Sequence, residues 1–397
     1  MPEPLLASIG WSAKPEAARA GKEAAEAAMA RLGSAKPSCA LVFASSWFDQ
    51  AALVYGARSV LGQVPLAGGS TAGEITPEGP STHSCVVLVL SSPSIACSLG
   101  MAQGVDTAPR EAGQQAAYAA LQGCKVIPRA GFLLFGDGLL TNYLDVARGI
   151  QEVLGTGSLI VGGMTGDDLR YQRTYQYAND QVVSRAVAGI LFAGHVKIGA
   201  GIEHGFAPIS KPRRITKARA HVLYELDRQP AASVYEEYFG PDEVRRMRDE
   251  GLARQAVAYP LGIQLGGADQ WLLRNVVSLG IDGSLTCSGE LLEDTWLQLM
   301  IGSRELAIEA AAKAAAHAIR TLNQVSCVIV FDSVSRRRLL GPRAALTELA
   351  AIREAVGPAT PLAGCYTYGE QAPMGLSAGV PQTVTQTGSV LVVALGT

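Results

Sequence analysis

The sequence predicts an α/β protein made of tandem related α/β units, an internal duplication packed around mostly buried sheets, in two domains. Three observations carry this expectation. Apolar runs of strand length alternate with segments of helical character, the pattern of sheets covered on both faces. A motif recurs far apart in the chain: Pro65-Leu-Ala-Gly-Gly-Ser-Thr-Ala-Gly-Glu74 matches Pro361-Leu-Ala-Gly-Cys-Tyr-Thr-Tyr-Gly-Glu370 without a gap, and Leu159-Ile-Val-Gly-Gly-Met-Thr-Gly-Asp-Asp168 is a looser copy. The chain has 397 residues, is 48% hydrophobic and 17% charged, and has a mean hydropathy of +0.19, which provides enough apolar side chains for a full core.

Residues 1–37 read as an N-terminal extension with a helix. Cys39-Ala-Leu-Val-Phe-Ala-Ser-Ser46 is an apolar strand ending in small polar residues, and Phe132–Asp137 and Cys327–Ser333 repeat that form. Each leads into a helical segment, at 48–61, 143–154 and 342–356, the last with Pro342 in the first turn, where its missing N–H costs nothing. Each helix returns to a copy of the repeated motif, so the unit is strand, polar loop, helix, strand and Gly-Thr-carboxylate turn. A further strand follows at Val86–Leu90, at Gly189–Phe192 and at 389–395. The first two lead to Gly-rich stretches, Ala96–Gly104 and Val196–Gly205, in which Gln103 corresponds to His204. Between the second and third copies lies a different block. It has a strand at Leu223–Leu226, helices at Pro230–Phe239 and Pro241–Gln255, and strands at Leu261–Leu265 and Trp271–Leu279. An Asp-Gly hairpin turn at Ile281–Ser284 and an Ala-rich helix at 303–322 complete it. The prolines and basic residues of Ala207–Lys217 mark a boundary, so the domains are expected at 38–217 and 218–397.

Charge and cysteine content exclude several functions. The 33 Lys+Arg against 35 Asp+Glu leave a net charge of -2, without the basic stripe that nucleic acid or an anionic membrane selects. No apolar run approaches the roughly 18 residues that cross a bilayer, and no signal peptide is evident, so a cytoplasmic location without membrane insertion is expected. Cysteines at 39, 85, 97, 124, 287, 327 and 365 are odd in number and widely spaced, which points to reduced thiols. No histidine pair has zinc spacing and no Cys-x-x-Cys occurs, so no metal site is expected. No nucleophile elbow appears, so no enzyme is expected, with an enzyme acting on a small metabolite as the lesser alternative.

The candidate ligand residues gather at the Gly-Thr-carboxylate turns. Glycines after a strand free backbone N–H groups for a ligand, or they simply permit close packing while the glutamate caps the turn. Gly364, Tyr366, Thr367, Tyr368 and Glu370 would form a pocket for an ammonium or a flat ligand, with Thr165 and Asp167 in the related turn. Arg274 lies in the apolar run Trp271-Leu-Leu-Arg-Asn-Val-Val. A buried-strand arginine needs a carboxylate, either from Glu290 or Glu370 or from a ligand. Asn275 is expected on the opposite face. Arg336, Arg337 and Arg338 are either a solvated basic loop or contacts to an anion or a partner protein.

At these motifs the chain resembles the FIST family, the paired N- and C-terminal FIST domains of signal-transduction proteins, from about residue 38 to the end. The residues that carry the resemblance are Gly68–Glu74, Gly162–Asp168, Tyr224-Glu-Leu-Asp227 with Pro230-Ala231, Leu273–Val276 with Asp282-Gly283, and Gly364-Cys-Tyr-Thr-Tyr-Gly-Glu370. The resemblance implies a sensory domain for a small metabolite, such as an amino acid, signalling through a partner protein. Arg274 would then meet a carboxylate, and Glu370 with the two tyrosines an ammonium. The family also contains haem proteins that sense nitric oxide and act on histidine kinases. On that alternative the cofactor is haem, and His204 or Cys365 is the axial ligand. Members often carry Phe-Ser-Cys and a single arginine where this chain has Phe331-Asp-Ser-Val-Ser-Arg-Arg-Arg338, which leaves the identity of the contacting arginine open.

Overall fold

The repeated motif marks a unit that the computed structural model contains three times. The structure describes residues 3–140, 143–250, 258–265, 271–377 and 380–397. The first unit holds β1 (Leu6–Ser12), α1 (Ala17–Leu32), β2 (Cys39–Ser45), α2 (Gln50–Leu61), β3 (Leu66–Thr71), the hairpin β4 (Glu74–Thr76) and β5 (Gly79–Ser81), and β6 (Cys85–Ser91). The segment expected as an extension thus supplies the first strand and helix of this unit. The second unit repeats the order as β7 (Ile95–Gln103), α3 (Pro109–Gly123), β8 (Arg129–Asp137), α4 (Tyr143–Leu154), β9 (Ile160–Thr165), the hairpin β10 (Gln176–Ala178) and β11 (Gln181–Val183), and β12 (Ala186–Gly194).

The third unit opens with β13 (Lys197–Glu203) and is then interrupted by an inserted block. The block comprises β14 (Phe206–Pro208), β15 (Arg213–Arg219), β16 (Val222–Leu226), β17 (Gln229–Pro230), α5 (Ser233–Phe239), α6 (Pro241–Glu250), β18 (Leu261–Gln264), β19 (Trp271–Arg274), β20 (Val276–Leu279), β21 (Leu285–Cys287) and β22 (Trp296–Gly302). The expected continuation of α6 through 251–255 lies outside the described residues. The unit resumes with α7 (Arg304–Ile319), β23 (Val325–Ser333), α8 (Val334–Val356), β24 (Leu362–Thr367), the hairpin β25 (Gly369–Ser377) and β26 (Val380–Gln386), and β27 (Val390–Gly396). Within α8 the backbone breaks at Gly341, φ 69°, and Pro342 starts the second segment, so an added turn at 334–340 precedes the expected helix.

The three sheets share one topology. Strands run β1-β6-β2-β3, β7-β12-β8-β9 and β13-β27-β23-β24, with only the last two of each set parallel. Each sheet is then extended by a hairpin from another unit. β10–β11 adds to β3, β25–β26 adds to β9, and β4–β5 adds to β24. The exchange closes a ring of three units. Phe43, Phe135 and Phe331 stand at equivalent registers, and their ring centroids lie 5.9, 6.1 and 5.9 Å apart, a near-equilateral triangle at the centre of a core shared by all three sheets.

The repeated glycines follow from close approach. A Cβ on Gly68, Gly162 or Gly364 would lie 1.9 Å from the carbonyl oxygen of Val42, Leu134 or Val330, respectively, on the adjoining parallel strand. Gly10, Gly100 and Gly201 do the same for the outer helices, facing Ala24, Ala116 and Ala314 at 2.0, 2.3 and 2.0 Å. Those helices present alanine faces, so each lies flush on its sheet. The inserted block has its own apolar core. It docks through Gln386 of β26, whose amide accepts from the Leu273 N–H at 2.9 Å and donates to the Trp271 carbonyl at 2.8 Å.

Candidate functional site

A cavity of about 660 Å³ lies where the second unit, the third unit and the inserted block meet. The second unit supplies Gly138 to Leu140 after β8, with Leu144 and Tyr171. The third supplies the first turn of α8, Tyr368 and the end of β26. The inserted block supplies Leu272, Arg274 to Val277, and Thr286 to Glu290. Most of the lining is apolar, with a few polar groups, as in small-molecule sites generally.

Arg274 is the charged anchor. It is 8% exposed, and burial pushes its pKa down to about 10, which still leaves it a cation at neutral pH. Its guanidinium donates to the carbonyls of Glu290 at 3.0 Å, Leu273 at 2.9 Å and Thr385 at 3.3 Å. It has no ion pair among the described residues. Gly289 lets the guanidinium lie flat, because a Cβ there would be 2.9 Å from both Cζ and Nε. The Glu290 carboxylate, also on the lining, acts on it only through space, and a buried cation so weakly compensated is costly unless a closer anion joins it. Two further lining residues have buried oxygens without a partner, Asn275 Oδ1 and Thr385 Oγ1. Arg338, exposed at the rim, is a second cation without an ion pair among the described residues.

One wall is aromatic. Tyr171 stacks on Tyr368 with centroids 4.9 Å apart and planes 19° from parallel. Asp167 fixes both: it accepts from the backbone N–H groups of Tyr171, Gln172 and Arg173 and from the Tyr368 hydroxyl. The Tyr368 hydroxyl in turn accepts from the Leu169 N–H at 2.8 Å.

The sequence-derived candidates separate into two groups. Arg274 and Tyr368 line the cavity, and Asp167 supports it. The others serve the fold. Arg336 is fully buried, paired with Asp332 at 2.9 Å and with Glu348, and it donates to the carbonyls of His204 and Ala307. Glu370 is fully buried away from the cavity, accepting from the hydroxyls of Thr367 and Ser389, both 2.6 Å away. Burial pushes its pKa up to about 8. Glu74 is its counterpart, held by Thr71 and Ser84, with a pKa near 7 for the same reason. Thr165 donates to the Gly136 carbonyl at 2.8 Å, and Gly364 serves the strand approach described above. Tyr366 lies buried beneath the Arg337 guanidinium, 4.6 Å from its ring centroid.

Asn275 overturns the alternation argument. The strand expected over 271–279 breaks at this residue into β19 and β20, so Arg274 and Asn275 both line the cavity. Tyr171 was not foreseen; its nearest sequence signal is its place just after the turn that holds Asp167. A smaller hollow of about 310 Å³ lies at the related interface of the first and third units, but its Arg337 is committed to the Ala72 carbonyl and to Tyr366.

Haem does not fit the residues expected to hold it. His204 accepts the Phe206 N–H through Nδ1 at 3.0 Å, and burial lowers its pKa to about 4. Cys365 sits in β24 within the shared core, and burial raises its thiol pKa well above the usual range. Neither lines the cavity. Among the described residues no group of His, Cys, Asp and Glu is arranged to hold a metal, and no helix is long and apolar enough to cross a membrane.

The family model of the FIST N domain matches residues 38–229, and that of the FIST C domain matches residues 231–373. An uncharacterized protein of Methanocaldococcus jannaschii is 32% identical over 94 residues, 23% of this chain and 18% of its own length, so the match spans less than a fifth of that relative. Among solved structures, cyanuric acid hydrolase from A. caulinodans aligns over 99% of this chain and 100% of its own, at 10% identity and a TM-score of 0.38. T. maritima PurL complexed with ATP aligns over 99% of this chain and 71% of its own, at 13% identity and a TM-score of 0.22. Similarity at these scores carries no weight for function.

Proposed function

The chain belongs to the FIST family, whose domains are signal-transduction sensory domains, and on that premise we propose that it senses a small carboxylate-bearing metabolite in the three-sided cavity. The observation that supports this reading is Arg274, a buried guanidinium that borders the cavity without an ion pair among the described residues. A ligand carboxylate would supply the missing charge through charge-assisted hydrogen bonds. An amino acid falls within that class. Glu370 takes no part. Because the cavity joins two units to the inserted block, occupancy would favour one docking of that block. A partner protein, for example a histidine kinase, would read that docking as the signal.

The reading is tested by thermal denaturation against a panel of carboxylic acids, amines and neutral analogues. At least one acid should raise the melting temperature of the parent and leave Arg274→Ala unmoved. Stabilisation by amines or neutral compounds alone, or an acid effect undiminished in Arg274→Ala, would refute it.

A further inference from the structure

We infer that the metabolite is a planar aromatic acid, its carboxylate on Arg274 and its ring against Tyr171. This deepens the anion-binding reading and depends on it. Tyr171 is 55% exposed although it lines the cavity, and Tyr368 covers one of its faces. An aromatic side chain held half-open at a cavity wall offers its remaining face to another ring, since offset stacking adds to the area buried.

The presentation of Tyr171 is built rather than incidental. Asp167, 2% exposed, accepts from three consecutive backbone amides at 2.9, 2.6 and 2.9 Å and from the Tyr368 hydroxyl at 2.5 Å. In the same turn three non-glycine residues lie in the left-handed region: Asp168 at φ 54°, Leu169 at 65° and Tyr171 at 53°. Such conformations persist only where the surroundings impose them, and they concentrate at ligand clamps. The stacked pair also comes from two units, Tyr171 from the second and Tyr368 from the third, so a ring seated there would report on their junction. The inserted block adds the apolar Val276 and Val277 to the lining. A planar ring carrying a carboxylate would meet the aromatic face and Arg274 together, whereas a short aliphatic acid would leave the aromatic wall bare.

The test uses two acids of like charge and similar size, naphthoate and its saturated counterpart decalincarboxylate, titrated calorimetrically against the full chain. Naphthoate should bind about three- to tenfold more tightly, the range that stacking contributes. Tyr171→Leu should bring the ratio close to one, Tyr171→Phe should preserve it, and Arg274→Ala should weaken both acids. Equal binding of the two acids, with Arg274→Ala still weakening both, would overturn the aromatic assignment and leave the anion reading intact. Failure of both acids to bind, or binding insensitive to Arg274→Ala, would overturn the two together.

Discussion

Arg336→Met separates structural from ligand-binding arginines. The guanidinium of Arg336 is fully buried and ties together four elements of the third unit: the end of β13 through the His204 carbonyl, α7 through the Ala307 carbonyl, β23 through Asp332 and α8 through Glu348. Methionine keeps apolar bulk but leaves those acceptors without their donor. Removing one partner of a buried ion pair costs about 3–5 kcal/mol, because the remaining charge stays buried. Each carbonyl left unsatisfied adds about 1–3 kcal/mol, although these costs overlap. Asp332 moderates the loss, since burial and the neighbouring Glu348 raise its pKa and favour its protonated form. The expected loss is therefore about 3–5 kcal/mol, read from urea denaturation followed by far-ultraviolet circular dichroism. Adding Glu348→Gln should recover part of it, because the stranded charge is then removed. A loss below about 1 kcal/mol, with acid binding abolished, would refute this account and return Arg336 to the ligand.

Three further outcomes are expected. Folded Glu370 holds its proton to about pH 8 and Glu74 to about 7, against an ordinary value of 4.5, so both favour the folded state at low pH and lose that advantage as pH rises. His204, lowered to about 4 from 6.5, acts in the opposite sense below pH 6.5, so denaturation midpoints should fall most clearly between pH 6.5 and 8, and Glu370→Gln should flatten that slope. Gly289→Ala would put a methyl group 2.9 Å from the Arg274 guanidinium carbon, and should weaken naphthoate binding by about tenfold in calorimetry, the value of one charged hydrogen bond, with little change in urea midpoint. Gly364→Ala places a Cβ 1.9 Å from the Val330 oxygen inside a parallel strand pair, and should cost about 3 kcal/mol or more in urea denaturation.

The strands and helices of the repeated unit were legible because their cause is local. Apolar runs announce strands buried on both faces, and the glycine of each motif records a parallel neighbour too close for a Cβ. The inserted block was visible as an interruption for the same reason. The first strand and helix escaped recognition as part of a unit, because they lack the motif and share with their counterparts only an isolated Gly10 and an alanine face. The hairpin exchange was hidden as well, since nothing in β4, β10 or β25 names the sheet that receives it.

The site was harder to read than the fold, and the arginines show why. Arg336, Arg337 and Arg338 are consecutive in one helical turn, where each step rotates the side chain by about 100°. One faces the core, one covers Tyr366, and one reaches the cavity rim. Identical residues in one short segment therefore have three roles that composition cannot separate. Thr367 and Glu370 were misleading in another way. They recur in the motif because each satisfies a buried hydrogen-bond network, not because each meets a ligand. The burial of Arg274 was legible, since that expectation required only an arginine in an apolar strand.

The most direct test is a crystal structure with the acid that most stabilises the protein in the thermal panel. The expected result is a carboxylate about 2.8 Å from the Arg274 guanidinium, inside the cavity between the second unit, the third unit and the inserted block. A carboxylate seated elsewhere, with Arg274 still held only by the carbonyls of Leu273, Thr385 and Glu290, would contradict the account.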